Sequence, residues 1–275
     1  MADSITAAQS LNSVFGSCIY GRFTRAVSEY ELIKNGDSIA VCISGGKDSM
    51  LLAALLNDFR QHSGVDFSLT FLVMDPGYSP PNRALIEENA RILGVPLTIF
   101  ETDIFSAVDS VDRNPCFLCS KMRRGHLYRR ARELGCNKIA LGHHYDDVIE
   151  SILMGMIYGG QVQTMLPKLH SANIEGMQLI RPLYLVRERD IIRWRDFNSL
   201  QFLRCACRFT ERCEAQGGEH LSKRAEVKAL IASLAERNPQ IESNIFRSVE
   251  NVRLDRIMSY KDRDGVHSFL DGYDD

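Results

Sequence analysis

Short apolar runs alternate with longer amphipathic stretches over most of the chain. Ile39–Ile43 precedes a helix-compatible stretch near 48–60, and Phe67–Met74 precedes another near 80–93. Leu97–Glu101 leads into a long loop and then a helix near 118–134, and Lys138–Leu141 precedes a helix near 146–157. Gln178–Leu185 predicts a late strand and Arg187–Ser199 a helix. Such alternation predicts an α/β fold: a doubly wound, mostly parallel sheet with helices on both faces. Gly94-Val95-Pro96 and Gly135-Cys136-Asn137 stand where two of the helices should stop. The first 35 residues read as helical, with Leu11, Val14, Phe15 and Tyr20 apolar and basic residues between Arg22 and Lys34. From about 220 the chain reads as purely helical, with Leu221, Val227, Leu230, Ile231 and Leu234 at helical spacing. The expected organisation is a helical N-terminal extension (1–35), a central α/β domain (36–215) and a helical C-terminal segment (216–275).

The first strand runs straight into Ser44-Gly45-Gly46-Lys47-Asp48-Ser49, and a helix follows. Glycines let backbone approach an anion closely, and free N–H groups at a helix start point at it. Lys47 adds a point charge, and Ser44 and Ser49 add hydroxyls. The spelling lacks the gap of the Walker loop and the G-x-G-x-x-G of dinucleotide folds. The alternative is a glycine-rich surface turn that happens to contain Lys, and the order of strand, turn and helix weighs against it. SGGKDS resembles the PP-loop of the ATP pyrophosphatase superfamily. That resemblance implies that the loop grips the pyrophosphate of ATP and that the nucleotide adenylates an oxygen on a substrate.

Composition narrows the setting. Hydrophobic residues make up 45% and charged residues 25%, ordinary for a globular chain. No apolar run approaches the roughly 18 residues that span a bilayer. The start, Met1-Ala2-Asp3-Ser4, carries an acid where a secretory signal carries a base, so a cytoplasmic protein with no membrane partner is expected. Eight cysteines in that compartment point to metal or redox chemistry wherever they cluster. A net charge of −2 gives no global support for nucleic-acid binding, so any basic surface must be local.

Cys116 and Cys119 form a C-x-x-C in a proline-marked polar loop at the mouth of a helix, a spacing that serves one ion or cluster. Cys205-Ala206-Cys207 follows about ninety residues later, with Cys213 beyond. A four-thiolate zinc site and a three-cysteine iron–sulfur cluster both remain open from spacing alone. Cys18, Cys42 and Cys136 read as buried structural thiols. Gly142-His143-His144-Tyr145-Asp146-Asp147 follows a strand, at the sheet edge where α/β folds bind ligands. Asp146 there is as good an N-cap for the next helix as a catalyst. The His pair lacks a third ligand at zinc spacing. Lys121 to Arg132 is the most basic stretch, with Lys121, Arg124 and Tyr128 along one helix side. It offers phosphate-backbone contact, or else a solvated face. Arg187, Arg189, Arg193 and Arg195 alternate with acids and read as a solvated group.

Taken together, SGGKDS, Cys116-Phe-Leu-Cys119-Ser-Lys-Met-Arg-Arg-Gly-His-Leu-Tyr, Leu141-Gly-His-His-Tyr-Asp-Asp, Met156-Ile-Tyr-Gly-Gly160 and Ile180-Arg-Pro-Leu183 resemble the TtcA-like tRNA 2-thiocytidine synthetases over roughly 25–255. The resemblance implies a PP-loop fold, ATP with Mg²⁺, and a [4Fe-4S] cluster held by three cysteines. It implies adenylation of C2 of a cytidine in the tRNA anticodon loop and replacement of that oxygen by sulfur. A cysteine desulfurase or another sulfur donor, and a homodimer, complete the expected partners. By position Cys116 and Cys119 match the first two cluster ligands, and Cys207 is preferred to Cys205 as the third, the other serving as persulfide carrier or structural thiol. Lys47 and Asp48 are the expected catalytic pair of the loop, Asp48 with magnesium, alongside Cys207 and Cys205. Ser44, Gly45, Gly46, Lys47, Asp48, Ser49, Asp75, Gly142, His143 and Asp147 are expected on the nucleotide, with Asp146 as a further candidate. Replacing an oxygen on C2 needs a better leaving group than hydroxide, and AMP is one. The rival readings are an amidotransferase-type or other PP-loop enzyme with a non-tRNA substrate, and a zinc or redox sensor that binds nucleotide without turnover.

Overall fold

The computed structural model describes residues 5–104, 115–171, 174–203 and 222–273, with backbone alone for 115–121. It divides into two compact units, the first made of residues 1–147 and 166–220, the second of 148–165 and 221–275.

The first unit is built on a six-stranded sheet. Its strands are β1 (Asp37–Ile43), β2 (Phe67–Asp75), β3 (Leu97–Glu101), β4 (Lys138–Ala140), β5 (Lys168–His170) and β6 (Gln178–Ile180). Their order across the sheet is β3-β2-β1-β4-β6-β5, all parallel except β5, which runs antiparallel to β6. The doubly wound prediction therefore stands. Helices α1 (Ala7–Asn12), α2 (Gly21–Glu29), α3 (Lys47–His62), α4 (Pro80–Leu93), α5 (Pro115–Glu133) and α7 (Glu188–Phe197) supply the layers, while α6 (Tyr145–Gly159) begins in this unit and has most of its length in the second. A π-helical turn, Gly16–Tyr20, joins α1 to α2.

Strand parity sorts the core. Ile39, Val41 and Ile43 belong with Leu11, Phe23, Leu51, Leu55 and Trp194, the core shared with α1 to α4 and α7. Ala40 and Cys42 point the other way, onto Ala131, Cys136 and Ile139, with Leu127 and Tyr128 of α5 against them. Helix α3 is buried at every position from Ser49 to Leu56, because sheet and N-terminal helices enclose it. The fully buried Trp194 donates its indole N–H to the Ala7 carbonyl at 3.2 Å, tying α7 to the N-terminal segment. Helix α4 stops at Gly94, whose φ of +66° lets its N–H return to the last carbonyls.

Two expectations are corrected. The late strand covers Gln178–Ile180 only, and Arg181 to Leu185 turn back instead, as Arg-Pro after Ile180 permits. The edge strand β5, with one apolar residue in Lys-Leu-His, carried no periodic signal. In the second unit, α8 (Lys223–Arg237) and α9 (Ile241–Ser248) follow the helical reading, but β7 (Ser259–Lys261) and β8 (Val266–Ser268) pair as an antiparallel hairpin. The C-terminal segment is thus not purely helical. Within that unit Arg224 pairs with the buried Glu150 at 3.1 Å, and Lys223 stands 4.9 Å over the Tyr158 ring. Among the described residues no helix is long and apolar enough to cross a membrane.

Candidate active site

Strands β1 and β4 are neighbours from which the sheet extends in opposite directions, β2 and β3 to one side and β6 and β5 to the other. Ligands of open α/β sheets bind beyond the carboxyl ends of strands at such a switch point. Both motif loops leave from there: Ser44 to Ser49 after β1, and Leu141 to Asp147 after β4.

The glycine loop has little freedom. Gly45 takes φ +82°, and a Cβ there would lie 2.7 Å from Ile86 Cγ1 and 2.8 Å from Leu203 Cδ1. Ser49, buried in the first turn of α3, accepts from the Ser44 backbone N–H at 3.1 Å and donates to the Gly46 carbonyl at 3.0 Å. Its hydroxyl braces the loop instead of projecting from it. Gly142 presses on the same turn: a Cβ at that position would meet the Asp48 carbonyl carbon at 3.0 Å and the Ser49 nitrogen at 3.1 Å. Only a residue without a side chain lets the two loops approach this closely.

Lys47 Nζ sits 3.1 Å from Asp48 Oδ1 and 3.0 Å from Glu188 Oε1. Burial pulls the ammonium's pKa down, but Asp48 and Glu188 outweigh it, so the pKa lies above the ordinary lysine value. His144 is buried beside this pair, its Nε2 at 3.8 Å from Asp48 Oδ1. His144 also caps α6. Its backbone N–H donates to Asp147 Oδ2 at 3.0 Å, while the Asp147 N–H returns to His144 Nδ1 at 3.4 Å. The cap of this helix is therefore His144, not Asp146. Asp146 instead accepts from the Glu188 N–H at 2.7 Å and pairs with Arg187 at 3.1 Å, capping α7 from across the sheet edge. Arg187 also lies 4.8 Å over the Tyr145 ring. With Arg193 paired to Asp190 and Arg195 to Asp196, the second basic group is largely internally neutralised.

Asp75 ends β2 and is buried. Its Oδ1 accepts from the Gly77 and Tyr78 N–H groups at 2.8 and 2.7 Å, and its Oδ2 pairs with Arg83 at 3.2 Å. It shapes the turn after β2.

Two cavities flank the loop, and Ser44 and Asp48 line both. The smaller, of about 280 Å³, is walled by Cys42, His143, Asp147, Gly142, Arg123 and Leu127. The larger, of about 690 Å³, is walled by Lys47, Glu188, Arg195, Gln201 and Phe202. Ser44, Asp48, Ser49, Gly142, His143 and Asp147 thus line one cavity, whereas Asp75 lines neither. Glu188 and Cys42 are additions. Cys42 is a free, buried thiol, as are Cys136 and, half-buried, Cys18. Burial, with Cys136 nearby, pushes the Cys42 pKa up to about 12.

Of the predicted cluster ligands, Cys116 and Cys119 fall one turn apart at the start of α5, the helix whose Arg123 and Leu127 wall the smaller cavity. Cys205 and Cys207 lie outside the described residues. Among the described residues no three His, Cys, Asp or Glu side chains gather closely enough to hold an ion.

Known proteins place this arrangement. Residues 19–207 match the PP-loop domain family. A tRNA-cytidine(32) 2-sulfurtransferase of Coxiella burnetii (strain RSA 493 / Nine Mile phase I) is 36% identical over 244 residues, 86% of this chain and 90% of the relative. One of the same name from Burkholderia multivorans (strain ATCC 17616 / 249) is 37% identical over 234 residues, 83% of this chain and 67% of the relative. The U34-tRNA thiolase NcsA from Methanococcus maripaludis, solved with its [4Fe-4S] cluster, shares the fold with a TM-score of 0.66 at 23% identity, covering 88% of this chain and 80% of that one. The chain belongs to the PP-loop family and, within it, to the tRNA-cytidine 2-sulfurtransferases.

Proposed function

We propose that this protein uses ATP to replace the C2 oxygen of a cytidine in the tRNA anticodon loop with sulfur. The observation that carries the reading is that the glycine loop and the helix bearing Cys116 and Cys119 wall one cavity. A site that activates an oxygen and then delivers a thiolate-like sulfur needs both parts within reach of one base.

The cytidine O2 attacks the α-phosphorus of ATP, and pyrophosphate leaves. AMP is then the leaving group when sulfur forms its bond to C2. The N–H groups at the start of α3 and the Lys47 ammonium would stabilise the negative charge that develops on pyrophosphate. Asp48 would hold a magnesium ion, which would neutralise charge on the phosphates. An iron–sulfur cluster, when bound, would supply an iron with an open position for sulfur. Cys116, Cys119 and Cys207 would hold it, and the one-turn spacing of the first two suits a shared cluster. Asp147 and His143 line the smaller cavity and would face the activated base. Tyr128 packs against the sheet and does not continue the expected basic side, but the exposed Arg124 and Arg129 of α5 would take tRNA phosphates and supply local positive charge despite a net charge of −2.

The test joins spectroscopy to nucleoside analysis. Anaerobically purified protein should contain iron with a Mössbauer signature of a [4Fe-4S] cluster, lost in Cys116→Ala; zinc without iron would overturn the cluster. In cells lacking the gene, tRNA 2-thiocytidine should disappear, and its persistence would overturn the acceptor.

A further inference from the structure

The Lys47 ammonium is gripped from two sides. Asp48 is its chain neighbour, but Glu188 arrives on α7 from a different crossover, with its Oε1 3.0 Å from Nζ. Glu188 is itself fixed: its backbone N–H donates to Asp146 at 2.7 Å, and the adjoining Arg187 holds the same carboxylate. Lys47 and Glu188 are each about four-fifths shielded, with side-chain exposures of 21% and 18%. An ammonium is a point charge on a flexible stem and carries no direction of its own, so its acceptors decide where it points. Asp48, one residue away, moves with the loop. Glu188 gives the ammonium a reference outside the loop.

We infer that Glu188 is a positioning residue for the activation step: it holds the Lys47 ammonium at the mouth of the glycine loop. The inference rests on the ATP reading given above. A carboxylate lining the cavity that the loop opens onto repels a polyphosphate, so Glu188 does not serve to attract the nucleotide. In the ground state it competes with phosphate for Lys47. What it contributes is an ammonium already in place when charge develops on the departing pyrophosphate. This predicts an unusual division: losing Glu188 harms turnover and not ATP affinity.

The experiment uses the full-length protein, with calorimetric ATP binding and pyrophosphate release in the presence of unmodified tRNA. Glu188→Ala should lower kcat about tenfold, with the Kd for ATP unchanged or a few-fold tighter. Glu188→Gln keeps an acceptor oxygen at the same reach and should recover most of the loss. Should the alanine variant fail to fold, Glu188→Asp carries the test. It keeps the charge but withdraws it by one methylene, so kcat should fall while Kd holds. The inference is overturned by an unchanged kcat, by a Kd that weakens in step with turnover, or by Gln performing no better than Ala. Wild-type protein that neither binds ATP nor releases pyrophosphate would instead defeat the ATP reading, before any variant is compared.

Discussion

Cys42 lines the loop cavity and yet is set against reactivity. Its pKa is raised to about 12 from 9.0 by burial and by Cys136, so the thiolate, the nucleophilic form, is scarce at neutral pH. Brief iodoacetamide treatment at pH 8 should leave Cys42 unmodified in peptide maps of the native protein. The same shift has a stability consequence with a definite sign. A folded-state pKa above the unfolded one favours folding below pH 9 and loses that contribution as pH climbs toward 12. Urea unfolding should therefore show a steeper alkaline loss between pH 9 and 12 in wild type than in Cys42→Ala. The sequence reading of Cys42 as a buried thiol was right about burial. That it faces the cavity followed only from strand parity combined with the packing of α5. Asp146 teaches the reverse lesson. Local rules offered it as the cap of its own helix, but the return of the chain to Glu188 gave that carboxylate to another helix, and His144 took the cap.

Elements with a strong period were legible, and those set by a few residues were not. Strand β3 and helix α4 fall at their expected bounds because alternation, a proline start and a glycine stop all agree. Strand β5, with a single apolar residue, offers no periodic signal, β6 was expected but runs shorter than predicted, and the hairpin β7–β8 lies mostly exposed. The contact between the two motif loops was equally invisible, since it depends on β4 lying beside β1. It yields a sharp prediction. Gly142→Ala pushes a methyl group to 3.0 Å from the Asp48 backbone, and backbone cannot swing aside as a side-chain tip can. The substitution should cost about 1–3 kcal/mol in chemical denaturation. It should also weaken ATP binding by displacing the first turn of α3. Unchanged nucleotide affinity would show that the two loops do not depend on one another.

At the scale of the molecule, the sheet order β3-β2-β1-β4-β6-β5 decides which motifs meet. Central β1 is paired on both edges and covered on both faces, whereas the hairpin β7–β8 is a lone ribbon with little buried surface. Amide exchange should therefore be slowest from Ile39 to Val41 and fast across Ser259–Ser268, by several orders of magnitude. Trp194 offers a second probe of the same core: Trp194→Ala should cost about 3–5 kcal/mol, because the indole is fully buried and also anchors Ala7. By itself the sequence determined the α/β class, the glycine loop, the cysteine pair and the family, because each is written in local spacing that survives in any arrangement of the chain. Only the tertiary structure decided that Glu188 reaches Lys47, that Asp146 caps a distant helix, and that Gly142 must be bare. Those depend on distances between residues far apart in the chain, and such distances are set by how strands pair and helices pack.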